Sequence, residues 1–141
     1  MTATLDPESL RRLGGTDAGG WFEADAGIAV AIPRPAYQQT EAGARASLAE
    51  LRRISREHQR CFAVIVLVDR VASQDASGRR VWSRELQVDD MASLALVCGS
   101  MLARAIGSFF LGLHRPPVPT VMVPTWSAAL DWSRRQIDRA N

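Results

Sequence analysis

Few residues of this chain could make or break a bond, and their spacing does not bring them together. Two histidines occur, His58 and His114. Neither has an Asp or Cys at a local spacing suited to proton relay, so both read as capping or surface residues. Two cysteines, Cys61 and Cys98, are too few for a disulfide scaffold and lack metal-ligand spacing. They predict buried free thiols in a reducing compartment. Gly14-Gly15 and Gly19-Gly20 lack the following Lys of a phosphate loop. Asp69, Asp75, Asp89 and Asp90 are acidic candidates for a hard cation, but they are not spaced as a calcium loop. Asp89-Asp90 reads as a solvated turn. Asp69 ends an apolar run, where ligand crevices of open α/β sheets form; its plainer reading is a residue that bonds the local backbone. The expectation is a non-enzymatic protein with no catalytic residue, no metal and no cofactor.

Ser77 stands apart, in Asp75-Ala76-Ser77-Gly78 at a predicted helix start. Two readings stay open. One is an ordinary helix cap from Asp75 or Ser77. The other is a phosphorylation or recognition site, because the free N–H groups and the dipole of a helix start favour added negative charge. Arg79 and Arg80 follow closely enough to assist.

The elements that must carry these residues are legible from hydrophobic period. Residues 1–19 are polar and Gly-rich and are expected to form a flexible N-terminal segment, with a short helix at Asp6-Pro7-Glu8. The domain is expected to span residues 20–141. Trp21 to Ala24 and Ile28 to Ile32 predict two strands around an Asp25-Ala26-Gly27 turn. Thr40 caps a predicted helix from Glu41 to about His58, with Ala44, Leu48, Leu51 and Ile54 on one face. Cys61 to Asp69 reads as a central strand buried on both faces. Ser77 to Gln87 reads as a short helix around Trp82 and Leu86. Leu94 to Cys98 is a second buried strand, Met101 to Leu113 a very apolar helix, Thr120 to Val123 a last strand, and Trp126 to about Arg139 a closing helix. Strands alternating with crossover helices predict a parallel or mixed sheet.

The Met101–Leu113 helix offers only Arg104 and Ser108 as a polar stripe. A helix this apolar is buried in the core or turns one face to a partner. Phe109, Phe110 and Leu113 are the expected contact residues, for a homodimer or another protein. It is shorter than the roughly 20 residues that span a bilayer. A lone Arg104 is also thin for a membrane-surface helix, so membrane contact is peripheral at most.

Composition bounds the rest. The chain has 141 residues, enough for one domain with its own core. All 17 basic residues are arginine, and the net charge of +2 creates no field that would draw nucleic acid. Arginine forks bind carboxylates and phosphates bidentately. No basic-then-apolar leader pattern opens the chain, and a cytoplasmic location is expected.

The stretch from Gly99 to Trp132, GSMLARAIGSFFLGLHRPPVPTVMVPTWSAALDW, resembles the C-terminal signature of bacterial SpoIIAA-like (STAS, CRAL-TRIO-related) domains. A Gly-Ser turn leads to an Arg-containing helix with Phe-Phe-Leu-Gly-Leu. An Arg-Pro-x-x-Pro-Thr segment and a terminal Ala-Leu-x-Trp helix follow. ADAGIAVAIP and FAVIVLVD upstream also fit, so the similarity covers roughly residues 21–135. The resemblance implies a four- or five-stranded mixed sheet with helices mainly on one face. Better-known relatives are anti-sigma factor antagonists, which bind a kinase-type anti-sigma factor and are switched at a Ser in Asp-Ser-Ser-Gly. The matching positions put Ser77 at that serine, while Arg79-Arg80-Val81-Trp82 departs from the small apolar continuation. The resemblance thus implies a protein-interaction module, with Asp75, Ser77, Gly78, Arg79, Arg104, Phe109 and Phe110 as partner-binding residues. The alternative is a small apolar-ligand or lipid binder, against which the short chain argues for want of a roomy pocket.

Overall fold

The computed structural model describes residues 9–113 and 116–140. It is a mixed α/β fold. The elements are β1 (Arg11–Thr16), β2 (Gly19–Asp25), β3 (Ile28–Pro33), β4 (Tyr37–Gln39), α1 (Glu41–His58), β5 (Ala63–Leu67), β6 (Val71–Gln74), α2 (Ala76–Arg80), β7 (Ser93–Val97), α3 (Met101–Leu113), β8 (Thr120–Val123) and α4 (Trp126–Ala140). A single 3-10 turn, Val68–Arg70, separates β5 from β6, and α2 runs on into a π-helical turn, Val81–Glu85.

The main sheet has six strands in the order β1-β2-β3-β5-β7-β8, where four or five were expected. The additional strand is β1, which pairs antiparallel with β2 from Arg11↔Glu23 to Thr16↔Gly19. The domain boundary expected at residue 20 is therefore corrected, since residues 11–16 belong to the sheet. Arg-Arg-Leu-Gly-Gly-Thr has no apolar alternation, and its position comes from its neighbours. Gly15 N–H donates to Glu50 of α1 at 2.8 Å, and Arg53 donates to the Leu13 carbonyl at 3.3 Å. These side chains occupy backbone groups on the open edge of the sheet. The Asp6-Pro7-Glu8 start of the short helix expected there lies outside the described residues.

From β3 to β8 all pairings are parallel, and the strands lie in sequence order. One crossover hand combined with an unbroken strand order puts every connecting helix on the same face. α1, the α2 segment and α3 accordingly pack together on one face. α4, which follows β8, covers the other face.

Alternation along the strands supplies both cores. Ala29, Val64, Leu94 and Leu96 point toward α1 and α3. Ile28, Val30, Ile65, Ala95 and Val97 point toward α4. α1 begins where the Thr40 side chain accepts from Gly43 N–H at 3.1 Å, and ends at left-handed Gln59. Ala44, Leu48, Leu51 and Ile54 are its buried stripe.

The β5-to-β7 connection is unusual. It spends its residues on a 3-10 turn, on β6, on the five-residue α2 and on the π turn. β6 pairs with β4 in a separate two-stranded sheet. Where a full crossover helix would normally cover the middle of the sheet, only this short, bent segment lies between α1 and α3.

Candidate functional site

Under that segment is a partly open apolar cavity of about 100 Å³. Its floor is the sheet: Trp21 of β2, Ala31 of β3, Val64 and Val66 of β5, and Leu94 and Leu96 of β7. Its roof is Ser47 of α1, Trp82 of the π turn, and Ile106, Gly107 and Phe110 of α3. The small sheet closes one side with Tyr37, Gln39, Val71 and Gln74, and the β1–β2 turn closes another with Thr16, Ala18 and Gly19. No charged residue lines it among the described residues.

Each wall has a local cause. Ala29 and Ala31 are the small residues on this face of β3, and Ala31 lies on the cavity floor. Gly107 lets α3 settle against β8 and the end of β7; a Cβ there would lie 2.9 Å from Met122 Sδ and 3.0 Å from Cys98 Sγ. The π turn is held by two bidentate arginine forks from α1. Arg45 grips the Glu85 carboxylate at 2.8–3.1 Å, and Arg52 grips Asp90 at 2.8–2.9 Å while also donating to the Glu85 carbonyl. Asp90 is thus no solvated turn. Burial would raise its pKa, but the Arg52 guanidinium and the Gln87 N–H outweigh that and hold it below the ordinary carboxylate range. π-helical turns are rare and concentrate at functional sites.

Two glutamines of the lining pair where β4 meets β6. Gln74 Nε2 donates to Gln39 Oε1 at 2.7 Å. Gln74 Oε1 is buried and accepts no hydrogen bond among the described residues. Burial pushes the Tyr37 hydroxyl above its ordinary value, so it stays protonated.

Ser77 lies on the other side of the α2 segment. Asp75 is the N-cap: its Oδ1 accepts from Gly78 N–H at 2.7 Å and from Ser77 Oγ–H at 3.0 Å. Gly78 is buried against the start of α1, where a Cβ would approach the Thr40 carbonyl to 3.2 Å. Arg79 donates to the Gln74 carbonyl at 2.9 Å. Ser77 borders a polar depression lined by Glu41, Arg45, Arg80, Arg84 and Glu85. A phosphate on Ser77 would meet these arginines but would also face the Asp75 carboxylate.

Asp75, Ser77, Gly78 and Arg79 therefore come together, whereas the α3 residues do not join them. Phe110 was expected at a partner surface; it is buried at 7 % exposure and roofs the cavity. The reason is helical period: Ala103, Gly107 and Phe110 form the inward stripe, leaving Met101, Leu102, Arg104, Ala105 and Ser108 outside. Arg104 Nε lies 3.5 Å from the Cys98 carbonyl. The Phe109 and Leu113 side chains and His114 lie outside the described residues.

Asp69 takes its plainer reading. Its carboxylate accepts from Gly99 and Ser100 N–H at 2.8–3.1 Å, tying the end of β5 to the start of α3. Cys98 is buried, and desolvation pushes its thiol up to about 12. Cys61 departs from expectation by being exposed, because it precedes β5 and does not enter it. His58 packs edge-on against Phe62.

Sequence reading missed the cavity and its two glutamines, Gln39 and Gln74. The available signal was indirect: too few helical residues between β5 and β7 to cover a strand pair, and glutamines next to buried Tyr37 and Val71.

The comparisons with known proteins name no activity. No curated protein matches the chain. A crystal structure of a protein of unknown function from Arthrobacter sp. FB24 is similar at 27% identity, covering 84% of this chain and 93% of that one, with a TM-score of 0.29. The model of a domain family of unknown function, DUF7793, matches residues 22–136, which spans β3 to β8 and parts of β2 and α4. The chain belongs to the DUF7793 family.

Proposed function

We propose that this protein is a non-catalytic binding module whose cavity holds a small apolar molecule. The carrying observation is the charge-free chamber between the sheet and the shortened β5–β7 crossover, with Trp82 brought to its wall by a π-helical turn. Large apolar pockets with a few convergent polar groups are the usual form of small-molecule sites. The absence of charged side chains from the lining among the described residues supports binding over catalysis.

Native mass spectrometry of gently purified protein tests this. The expected result is a bound apolar mass that is lost in Ala31→Leu, where the larger side chain fills the floor. A clean apo mass, together with no saturable change in tryptophan emission on adding small apolar compounds, would overturn the reading.

A second reading is a SpoIIAA-like regulator of the cytoplasm that recognises a protein partner, such as a kinase-type anti-sigma factor, through Ser77 and α2. The half-buried Ser77 beside the depression formed by Arg45, Arg80 and Arg84 supports it. So does the exposure of Met101 (86 %) and Leu102 (58 %), apolar residues suited to a second copy or a partner. Under this reading Ser77→Asp and Ser77→Ala differ in partner capture. Equal capture by both sinks the switch.

A further inference from the structure

We infer that the cavity admits a single compact, uncharged ring, and that the Arg45–Glu85 fork outside it sets the size limit by pinning the roof. The inference rests on the cavity being a ligand site and names what bounds its ligand.

Three observations carry it. First, the space measures about 100 Å³. An apolar cavity of about 150 Å³ holds one benzene, and drug-sized ligands occupy about 300–1,000 Å³. One ring therefore fills the space to its mouth, and a second fused ring is left outside or pressed against the roof. Second, the lining has no charged residue among the described residues, so an ionised ligand would exchange water for a wall without a counter-charge. Trp21, Tyr37, Trp82 and Phe110 in that lining offer a flat ring edge-on and offset-stacked contacts. Third, the roof is tied down from outside. Trp82 sits in the π turn Val81–Glu85, and the last residue of that turn is held twice from α1. Arg45 Nε and Nη2 donate to its carboxylate at 2.8–3.1 Å, and Arg52 Nη2 donates to its carbonyl at 2.9 Å. Neither Arg45 nor Glu85 lines the cavity. A bidentate fork fixes orientation as well as distance, so lifting Trp82 to widen the space means breaking it.

Calorimetric titration of the full chain with toluene, naphthalene, benzoate and benzylammonium at neutral pH tests each part. In an expandable site naphthalene binds tighter than toluene, because it buries more apolar surface. Here naphthalene is expected to bind no tighter than toluene. Both ions are expected to bind at least about 100-fold more weakly than toluene, the cost of an uncompensated buried charge. Arg45→Met should shift the naphthalene-to-toluene affinity ratio about three- to fivefold in favour of naphthalene, the worth of an exposed fork. Glu85→Ala removes the same fork from its other end and gives the same readout if the first variant fails to fold. A wild-type preference for naphthalene, an unchanged ratio in the variants, or either ion binding within about threefold of toluene overturns this inference and leaves the cavity a ligand site. Binding of none of the four, by wild type or variants, overturns both.

Discussion

The two faces of the central sheet are built from the same strands and closed in different ways. On one face α4 lies across β3, β5 and β7; Ile28, Val30 and Ile65 beneath it, and Ala129 on its inner side, are 0–1 % exposed. Trp126, Leu130, Trp132 and Ile137 flank that contact. On the other face α1 is a full 18-residue helix, but its neighbour α2 has only five residues before the π turn. The strand residues are as apolar as those on the α4 side, yet the space above Ala31, Val64 and Val66 stays open. Protein interiors ordinarily pack as densely as organic crystals. The difference teaches that strand composition set the hydrophobicity of both faces, whereas helix length set whether a face closed.

The largest test of that contrast is a pair of truncations on adjacent β5 residues that point to opposite faces. Ile65→Ala, beneath α4, should destabilise by about 3 kcal/mol in urea denaturation, through lost burial and a new cavity. Val66→Ala should cost only about 1 kcal/mol, since it borders space that is already empty. Equal losses would show the two faces to be equally packed.

Enlargement should reverse the order. Ala129→Leu drives extra carbons into the closed face and should cost about 2 kcal/mol. Ala31→Leu fills the open one and should leave thermal stability unchanged or raise it by about 1 kcal/mol. A loss from Ala31→Leu as large as that from Ala129→Leu would mean that the cavity cannot accept a side chain.

A pH test marks where the open face is sealed. Cys98, packed beside Gly107 of α3, has its thiol raised from 9.0 to about 12, by burial and then by the Asp69 charge. A folded-state value above the unfolded one means that the native protein holds the proton more tightly. The stabilisation is complete below pH 9 and is lost as the pH climbs toward 12. Wild type should therefore lose stability across that window by more than Cys98→Ala. Parallel pH profiles would show that water reaches this end of the cavity too.

Much of the scaffold was legible because its signals are local. Thr40 before Glu41-Ala42-Gly43, with apolar residues at 44, 48, 51 and 54, reports α1 and its cap within one stretch of chain. Asp75 as the cap of α2 is equally local. β1 was not legible, since its two arginines and two glycines acquire strand geometry only from β2 and from Glu50 and Arg53 on α1. The β4–β6 pair was hidden for the same reason; three and four residues have too little pattern to declare themselves. At the candidate sites, the grouping of Asp75, Ser77 and Gly78 could be read from adjacency, while the inward turn of Phe110 required knowing which stripe of α3 meets the sheet.

By itself the sequence determined the continuous apolar strands IAVAIP, AVIVL and SLALV, the period-3.6 face of α1 and the strand–helix alternation that makes the sheet parallel through its centre. These follow from interactions between residues a few positions apart. The edge strand, the small second sheet and the cavity were decided only in three dimensions, because each depends on the spacing between elements that are distant along the chain. A void in particular has no residues of its own: it exists where α1, α3 and the π turn meet the sheet and stop short of one another.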